Sequence, residues 1–268
     1  MKALSDALNF VRSMHKKKYG QNFLINESLC DKITQLEKIE NNNILEIGPG
    51  NLALTKKIIS RNPKKFISLE IDKELIKKYK NTLFSKYLYH NDALKVDELI
   101  FFKNKKFIII SNLPFNISSE LLVKWIKFQN NKNCIKSMTL MFQKELAERI
   151  IAKKDTKKFG RISILVSAFF EVKKKIDIKK NNFFPVPRVD ATVLQFTPLK
   201  KNKISKNNLN KLENVTSLFF NERRKKNLKK IKKIFSEDQI IKEGFDIFFD
   251  LRPENLDKEI YYRFAEIL

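Results

Sequence analysis

The sequence predicts an α/β protein, a doubly wound parallel sheet followed by a small, basic helical domain. Three observations carry that prediction. Short apolar runs alternate with helical stretches through the first two thirds of the chain, the pattern of a parallel sheet wrapped by helices. Glycine or polar markers stand at the ends of successive apolar runs: Gly48, Glu70, Asp92 and Asn112, spaced by 22, 22 and 20 residues. That interval is close to one tight strand-helix-strand step. Beyond a Lys- and Asn-rich stretch at 198–208 the pattern becomes wholly helical.

Apolar runs at 44–47, 66–71, 87–89, 107–110 and 138–142 read as strands. Helical stretches between and after them include 52–60, 73–83 and 118–128. Residues 162–170 read as a helix, with strands near 172–178 and 191–197. The stretch 198–208 reads as a linker. Helices are expected at 209–220, 224–235, 237–243 with Gly244 as the stop, and 255–267. The expected domains are a loosely attached extension at 1–15, a catalytic unit at 16–199 and a basic helical unit at 200–268.

Charge narrows the function. With 55 Lys+Arg against 30 Asp+Glu, the chain carries +25, a field that favours a polyanion and makes binding salt-dependent. Residues 200–233 hold 13 cations and two acids, Glu213 and Glu222. Only nine of the cations are Arg, and five of those (Arg161, Arg188, Arg223, Arg224 and Arg252) fall in expected loops or at helix starts, where a guanidinium suits phosphate. No apolar run approaches the roughly 20 residues of a membrane span, and the first residues lack the order of a secretory signal. His15 and His90 are too few for a histidine metal site or triad, so no metal is expected. Cys30 and Cys134 match no redox or metal spacing, which points to a reducing, cytoplasmic setting.

The chemistry gathers at the strand ends. Gly48-Pro49-Gly50 turns a strand into a helix and lets a ligand approach the backbone. With Ala53 it also satisfies the loose glycine pattern of dinucleotide binders, so alone it names no cofactor. Glu70 can accept ribose hydroxyls and Asp92 an adenine amino group, although each could equally cap a helix. Asn112-Leu113-Pro114-Phe115 follows the apolar run 107–110. The Asn112 side-chain oxygen and the Leu113 carbonyl could take both hydrogens of an exocyclic amine and turn its lone pair outward. Pro114 would stiffen the loop and Phe115 would stack on the base. Phe183 or Phe184 could supply a second ring, or could anchor a proline loop in the core. Nothing resembles the His or Tyr acid that hydride transfer needs.

Several segments then fall into one order: Tyr19-Gly20-Gln21-Asn22-Phe23-Leu24, Glu46-Ile47-Gly48-Pro49-Gly50, Glu70-Ile71-Asp72, Asn91-Asp92-Ala93 and Asn112-Leu113-Pro114-Phe115-Asn116-Ile117-Ser118. Met141-Phe142-Gln143-Lys144-Glu145, Phe159-Gly160-Arg161, the 183–193 stretch, Asn221-Glu222-Arg223-Arg224-Lys225 and Arg252-Pro253-Glu254-Asn255-Leu256 continue the series. In this set, from Lys16 onward, the chain resembles the small-subunit ribosomal RNA adenine dimethyltransferases, the KsgA family.

The resemblance implies a Rossmann-like class I methyltransferase fold, S-adenosylmethionine as methyl donor, and two adjacent adenosines near the 3′ end of small-subunit rRNA as substrate. Each adenosine would be dimethylated during assembly, on a pre-30S particle; separately, no exposed apolar stripe demands a dimer, so a monomer is expected. The resemblance also implies that Asn22, Leu24, Gly48, Glu70, Asp92 and Asn112 line the cofactor. Asn112, Leu113, Pro114, Phe115 and Phe183 would hold the adenine, and Arg223, Arg224, Lys225 and Lys226 would grip RNA. Two departures stand out. Phe115 replaces a frequent Tyr, and Leu52 replaces a Gly or Ala, which is expected to tighten the methionine end of the pocket. Residues 1–13 precede the usual start, so either Met14 is the true first residue or the extension is loosely attached. The rivals are the Erm group acting on large-subunit rRNA, a non-catalytic RNA binder, and a dehydrogenase. The Gly48 loop and the 252–256 segment favour the KsgA side over the Erm group.

Overall fold

The computed structural model describes residues 20–268. The expected extension at 1–15, the start at Met14, His15 and Tyr19 lie outside the described residues. The chain divides into two compact units, residues 20–147 with Val172–Pro198, and Glu148–Glu171 with Leu199–Leu268.

The first unit is built on a sheet of seven strands: β2 (Asn43–Ile47), β3 (Lys65–Glu70), β4 (Leu88–His90), β5 (Phe107–Asn112), β6 (Ile135–Gln143), β7 (Phe170–Ile178) and β9 (Ala191–Pro198). Their order across the sheet is β4-β3-β2-β5-β6-β9-β7. The pairs from β4 through to β6 are parallel and β6–β9 is antiparallel. The chain thus runs outward from β2 to β4 and returns to place β5 on the other side of β2. That reversal is a topological switch point, where open α/β sheets bind ligands at the carboxyl ends of their strands.

The strands form where both faces are covered. Ile44, Leu45, Ile108, Ile109 and Ile110 are buried, as the near-continuous apolar character of central parallel strands requires. A two-residue strand, β1 (Phe23–Leu24), pairs antiparallel with β8 (Phe183–Phe184) as a separate small sheet. Among the helices, α1 (Glu27–Thr34) is capped by Asn26, whose side chain accepts from Leu29 N, and α3 (Lys73–Tyr79) is capped by Asp72. Between them lies α2 (Ala53–Ile59).

The second unit has an aromatic core. Phe245, Phe235, Phe219 and Tyr261 surround Phe264 with ring centroids 4.8 to 6.3 Å away. The expected domain boundary misses one feature: the second unit also takes in Glu148–Glu171. There the helix α7 (Arg161–Ser167) buries Ile164, Leu165 and Val166, and Tyr262 donates a hydrogen bond to the Ile164 carbonyl at 3.1 Å. Sequence order separated this segment from the helices it packs on.

The expected linker is also ordered. Leu199 N and Lys203 N donate to the carbonyls of Phe169 and Ala168 at 2.8 and 2.9 Å, Ile204 is buried, and Ser205 and Asn208 bond Glu266. Composition suggested a linker; its main chain and one apolar side chain are used internally. The helix expected at 224–235 begins only at Leu228, as α9 (Leu228–Ile234), because the consecutive cations before it form a turn. The last helix begins at Lys258 rather than 255, after a 3₁₀ turn at Pro253–Asn255.

Candidate active site

The end of β2 leads into the Gly48-Pro49-Gly50 loop. Gly48 and Gly50 have φ of 67° and 53°, a region that glycine enters without steric cost. Gly50 also needs its missing side chain, since a Cβ there would stand 2.7 Å from the Phe23 ring. The loop is pinned from both sides: Gly48 N donates to Leu69 O at 2.8 Å, and Tyr79 Oη donates to Gly50 O at 3.0 Å. Leu52 takes φ 65° at the start of α2. Its side chain is buried with Phe23, Leu75 and Tyr79 and is not part of the cavity wall, so it does not tighten the pocket as expected.

An open cleft with about 580 Å³ of empty space, continuous with solvent, lies at this switch point. Its wall comes from three strand ends and from the segment at residues 20–24. Asn22, Leu24, Gly48, Glu70, Asn112, Leu113 and Pro114 all line it, as do Glu46, Asn51 and Ile71.

Two carboxyls in that wall are buried. Glu46 accepts hydrogen bonds from Thr55 Oγ1 at 2.6 Å and Ser68 Oγ at 3.0 Å. Burial nevertheless pushes its pKa up to about 7; the two hydroxyls pull it down and the nearby Glu70 charge adds to the rise. Glu70, closing β3, accepts from Asp72 N at 2.9 Å, and burial raises its pKa to about 7 against the pull of backbone N–H groups. A cationic ligand would favour the ionised form of both.

At the end of β5, Ser111 Oγ donates to Ile47 O at 2.7 Å and locks β5 to β2. Asn112 Nδ2 donates to the Asn22 main-chain carbonyl at 2.9 Å. Its Oδ1 is buried with no hydrogen-bond partner among the described residues. The amide is therefore oriented by its nitrogen, and a residue of the cavity wall carries an unsatisfied acceptor. Leaving such a group unpaired costs about 1–3 kcal/mol, which a donor on a ligand would recover.

The segment carrying Asn22 is held down independently. Asn51 Nδ2 donates to Leu24 O at 2.9 Å, Ile25 N to Asn182 O at 2.9 Å, and Phe23 and Leu24 pair with Phe184 and Phe183.

Three sequence-predicted residues stand elsewhere. Asp92 does not line the cavity; its Oδ1 accepts from Leu94 N at 2.9 Å and its carboxylate pairs with Lys95 at 3.7 Å, so it shapes a turn past β4. Phe115 is half-buried beside the wall. Phe183 is 1% exposed, and its ring meets Phe115 edge-on at 6.5 Å. It supports Phe115 from the core and is not an open second face for a base. Sequence reasoning passed over Glu46 as a site residue, although an acid inside an apolar strand was a signal. Asn51 carried no such mark.

In the second unit the four expected RNA contacts divide. Arg223 Nη1 donates to Lys157 O at 2.9 Å, with Nη2 3.7 Å from Glu254. Lys226 pairs with Asp250 at 2.7 Å. Arg224 and Lys225 are exposed and unpaired among the described residues. Among the described residues no cluster of His, Cys, Asp and Glu could hold a metal, and no helix is long and apolar enough to cross a membrane.

Comparison with known proteins gives a consistent result. The family described as "Ribosomal RNA adenine dimethylase" matches residues 12–268. "Ribosomal RNA small subunit methyltransferase A" of Pelagibacter ubique (strain HTCC1062) is 38% identical over 252 residues, 94% of this chain and 95% of that protein. The protein of the same name from Malacoplasma penetrans (strain HF-2) is 39% identical over 251 residues, 92% and 89% of the two chains. A dimethyladenosine transferase from Plasmodium falciparum superposes with a TM-score of 0.73 at 26% identity, covering 90% of this chain and 95% of its own. The 23S rRNA methyltransferase ErmE, at 19% identity and TM-score 0.65 over 92% of this chain and 100% of its own, shares the fold.

Proposed function

The chain belongs to the ribosomal RNA adenine dimethylase family, and we propose that it dimethylates the 6-amino groups of two adjacent adenosines near the 3′ end of small-subunit rRNA, during ribosome biogenesis. It is an rRNA adenine dimethyltransferase by family. The position and number of the adenosines, a cytoplasmic setting, a pre-30S particle as partner and action as a monomer are parts of the proposal.

The observation that carries this reading is the buried, unpartnered Oδ1 of Asn112, a residue of the cavity wall. An oxygen so placed accepts a hydrogen from an amino group, and the amide cannot flip without breaking the bond to Asn22 O. The Leu113 carbonyl is the second acceptor. With both hydrogens engaged, the amine's lone pair leaves the ring's conjugation and is aimed. Phe115 stacks on the base, Pro114 stiffens the loop, and Phe183 backs Phe115 from the core.

The cavity suits an adenosyl sulfonium, with two buried carboxyls in its wall and glycines where backbone must approach closely. S-adenosylmethionine, when bound, supplies an electrophilic methyl group. Glu70 would accept its ribose hydroxyls, Gly48 and Gly50 would give it room, and Asn22 and Leu24 would cover it. Asp92 would act through the turn it shapes next to Glu70, whose carbonyl accepts from Asn91 N at 3.0 Å.

Tritiated-methyl transfer to small-subunit particles, with large-subunit RNA as control, tests the proposal. Wild type should label only the former, two methyls per adenosine by mass spectrometry, and Asn112→Ala should label little. Equal incorporation by both proteins, or labelling of large-subunit RNA alone, would refute it.

A further inference from the structure

We propose that Lys230 is a positioning residue for RNA: its buried ammonium fixes the preceding turn so that Arg224 and Lys225 stand together as a phosphate-binding pair. The inference rests on the RNA-substrate reading above.

Residues 223–226 are four cations in a row, and the outer two are already engaged, Arg223 with Lys157 O and Glu254, Lys226 with Asp250. The inner two are the exposed and unpaired ones. Adjacent like charges repel, and a solvated loop would let them diverge. Lys230 opposes this from beneath. It is 4% exposed, and its Nζ donates to Glu222 O at 2.9 Å and to Lys225 O at 3.0 Å. Lys225 N donates to the same Glu222 carbonyl at 2.9 Å, and Asn227 N ties the turn's far end to the carbonyls of Phe249 and Leu251 at 3.1 and 3.0 Å.

The partners of Lys230 are main-chain carbonyls and the face of Phe219, 5.9 Å from Nζ. Burial lowers its pKa, while the charges of Glu222 and Glu254 oppose the shift. An apolar side chain could fill that space beside Phe219 without burying a charge. What the ammonium adds is the shape of the turn. A guanidinium and an ammonium on consecutive residues of a fixed turn suit neighbouring phosphates of an RNA backbone, one contacted in bidentate fashion and one as a point charge.

The experiment is steady-state methyl transfer to small-subunit particles by wild type, Lys230→Met and Lys230→Gln. Lys230→Met is repeated in an Arg224→Ala/Lys225→Ala background. Lys230→Met should raise KM for the particle about tenfold with kcat within about twofold, and Lys230→Gln, which keeps two N–H donors, should fall between. In the double-alanine background Lys230→Met should change KM by less than about twofold, because the groups it positions are gone. An unchanged KM, a loss confined to kcat, or a full tenfold effect in that background overturns the inference. So does failure of both single variants to fold, since Lys230 would then be a folding residue. If wild type transfers no methyl group to the particle, the RNA reading itself fails, an outcome distinct from all of these.

Discussion

The cavity of the sheet unit and the basic turn of the helical unit handle charge in opposite ways. In the cavity, Glu46 and Glu70 are buried and their carboxyls are raised to about 7, and the Asn112 oxygen is left without a partner. In the turn, Arg224 and Lys225 are exposed to solvent, and only their support, Lys230, is buried. A group that must act on one atom is oriented and desolvated, at a cost to folding. A group that must hold a repeating polyanion stays hydrated, and its effect is summed over several weak contacts. Substitutions in the two regions should therefore fail differently.

The largest effect belongs to the cavity. Asn112→Ala should lower kcat by roughly 10²–10³, the usual loss when one preorganised group at the reacting centre is removed, with RNA affinity unchanged in a filter-binding titration. A parallel loss of RNA affinity would erase the distinction between the regions.

Next comes pH. Glu46 has a folded pKa raised from 4.5 to about 7, so the folded state binds the proton more tightly than the unfolded chain does. Stability is then greatest below about pH 4.5 as far as this group is concerned, and falls as pH rises toward 7 by on the order of 3 kcal/mol. Glu46→Gln should flatten part of that decline in thermal melts between pH 5 and 8. The residual slope belongs to Glu70, which shifts in the same direction. A slope of opposite sign in wild type would mean that Glu46 is ionised in the fold.

The double variant Arg224→Ala/Lys225→Ala should weaken RNA binding about tenfold near physiological salt. It should reduce the slope of log affinity against log salt by about 1.5, the share of two phosphate contacts, and leave kcat at saturating particle unaffected. The smallest effect is expected for Arg223→Lys, about twofold or less in RNA affinity. Arg223 is occupied by Lys157 O and Glu254, so a tenfold loss there would make it a direct contact.

The sheet was largely legible in the sequence because alternation and the 20–22-residue spacing are consequences of strand-helix-strand geometry. Gly48, Glu70 and Asn112, singled out by that spacing, line one cavity. The spacing could not exclude Asp92, whose carboxylate is drawn into a local turn by the Leu94 amide, a choice decided over two residues. Nor could it tell that Phe183 would be drawn inward by strand pairing with Leu24. The packing of α7 with the C-terminal helices is a long-range contact with no local mark. Nothing in the Lys run marks Lys230 as interior; its neighbours' carbonyls and Phe219 give it a place.

The amide of Asn112 is steered by the main-chain oxygen of residue 22, not by its side chain. An exchange of side chain at that position leaves the oxygen in place, so ordinary mutational drift there has little leverage on how the reacting group is aimed. What could unsettle it is a slip of the whole strip against β8, and a search for inactivating changes remote from the chemistry would do well to begin with Asn51, whose side chain holds the Leu24 carbonyl, and Asn182, whose Oδ1 accepts from Asn26 Nδ2 just past the strip.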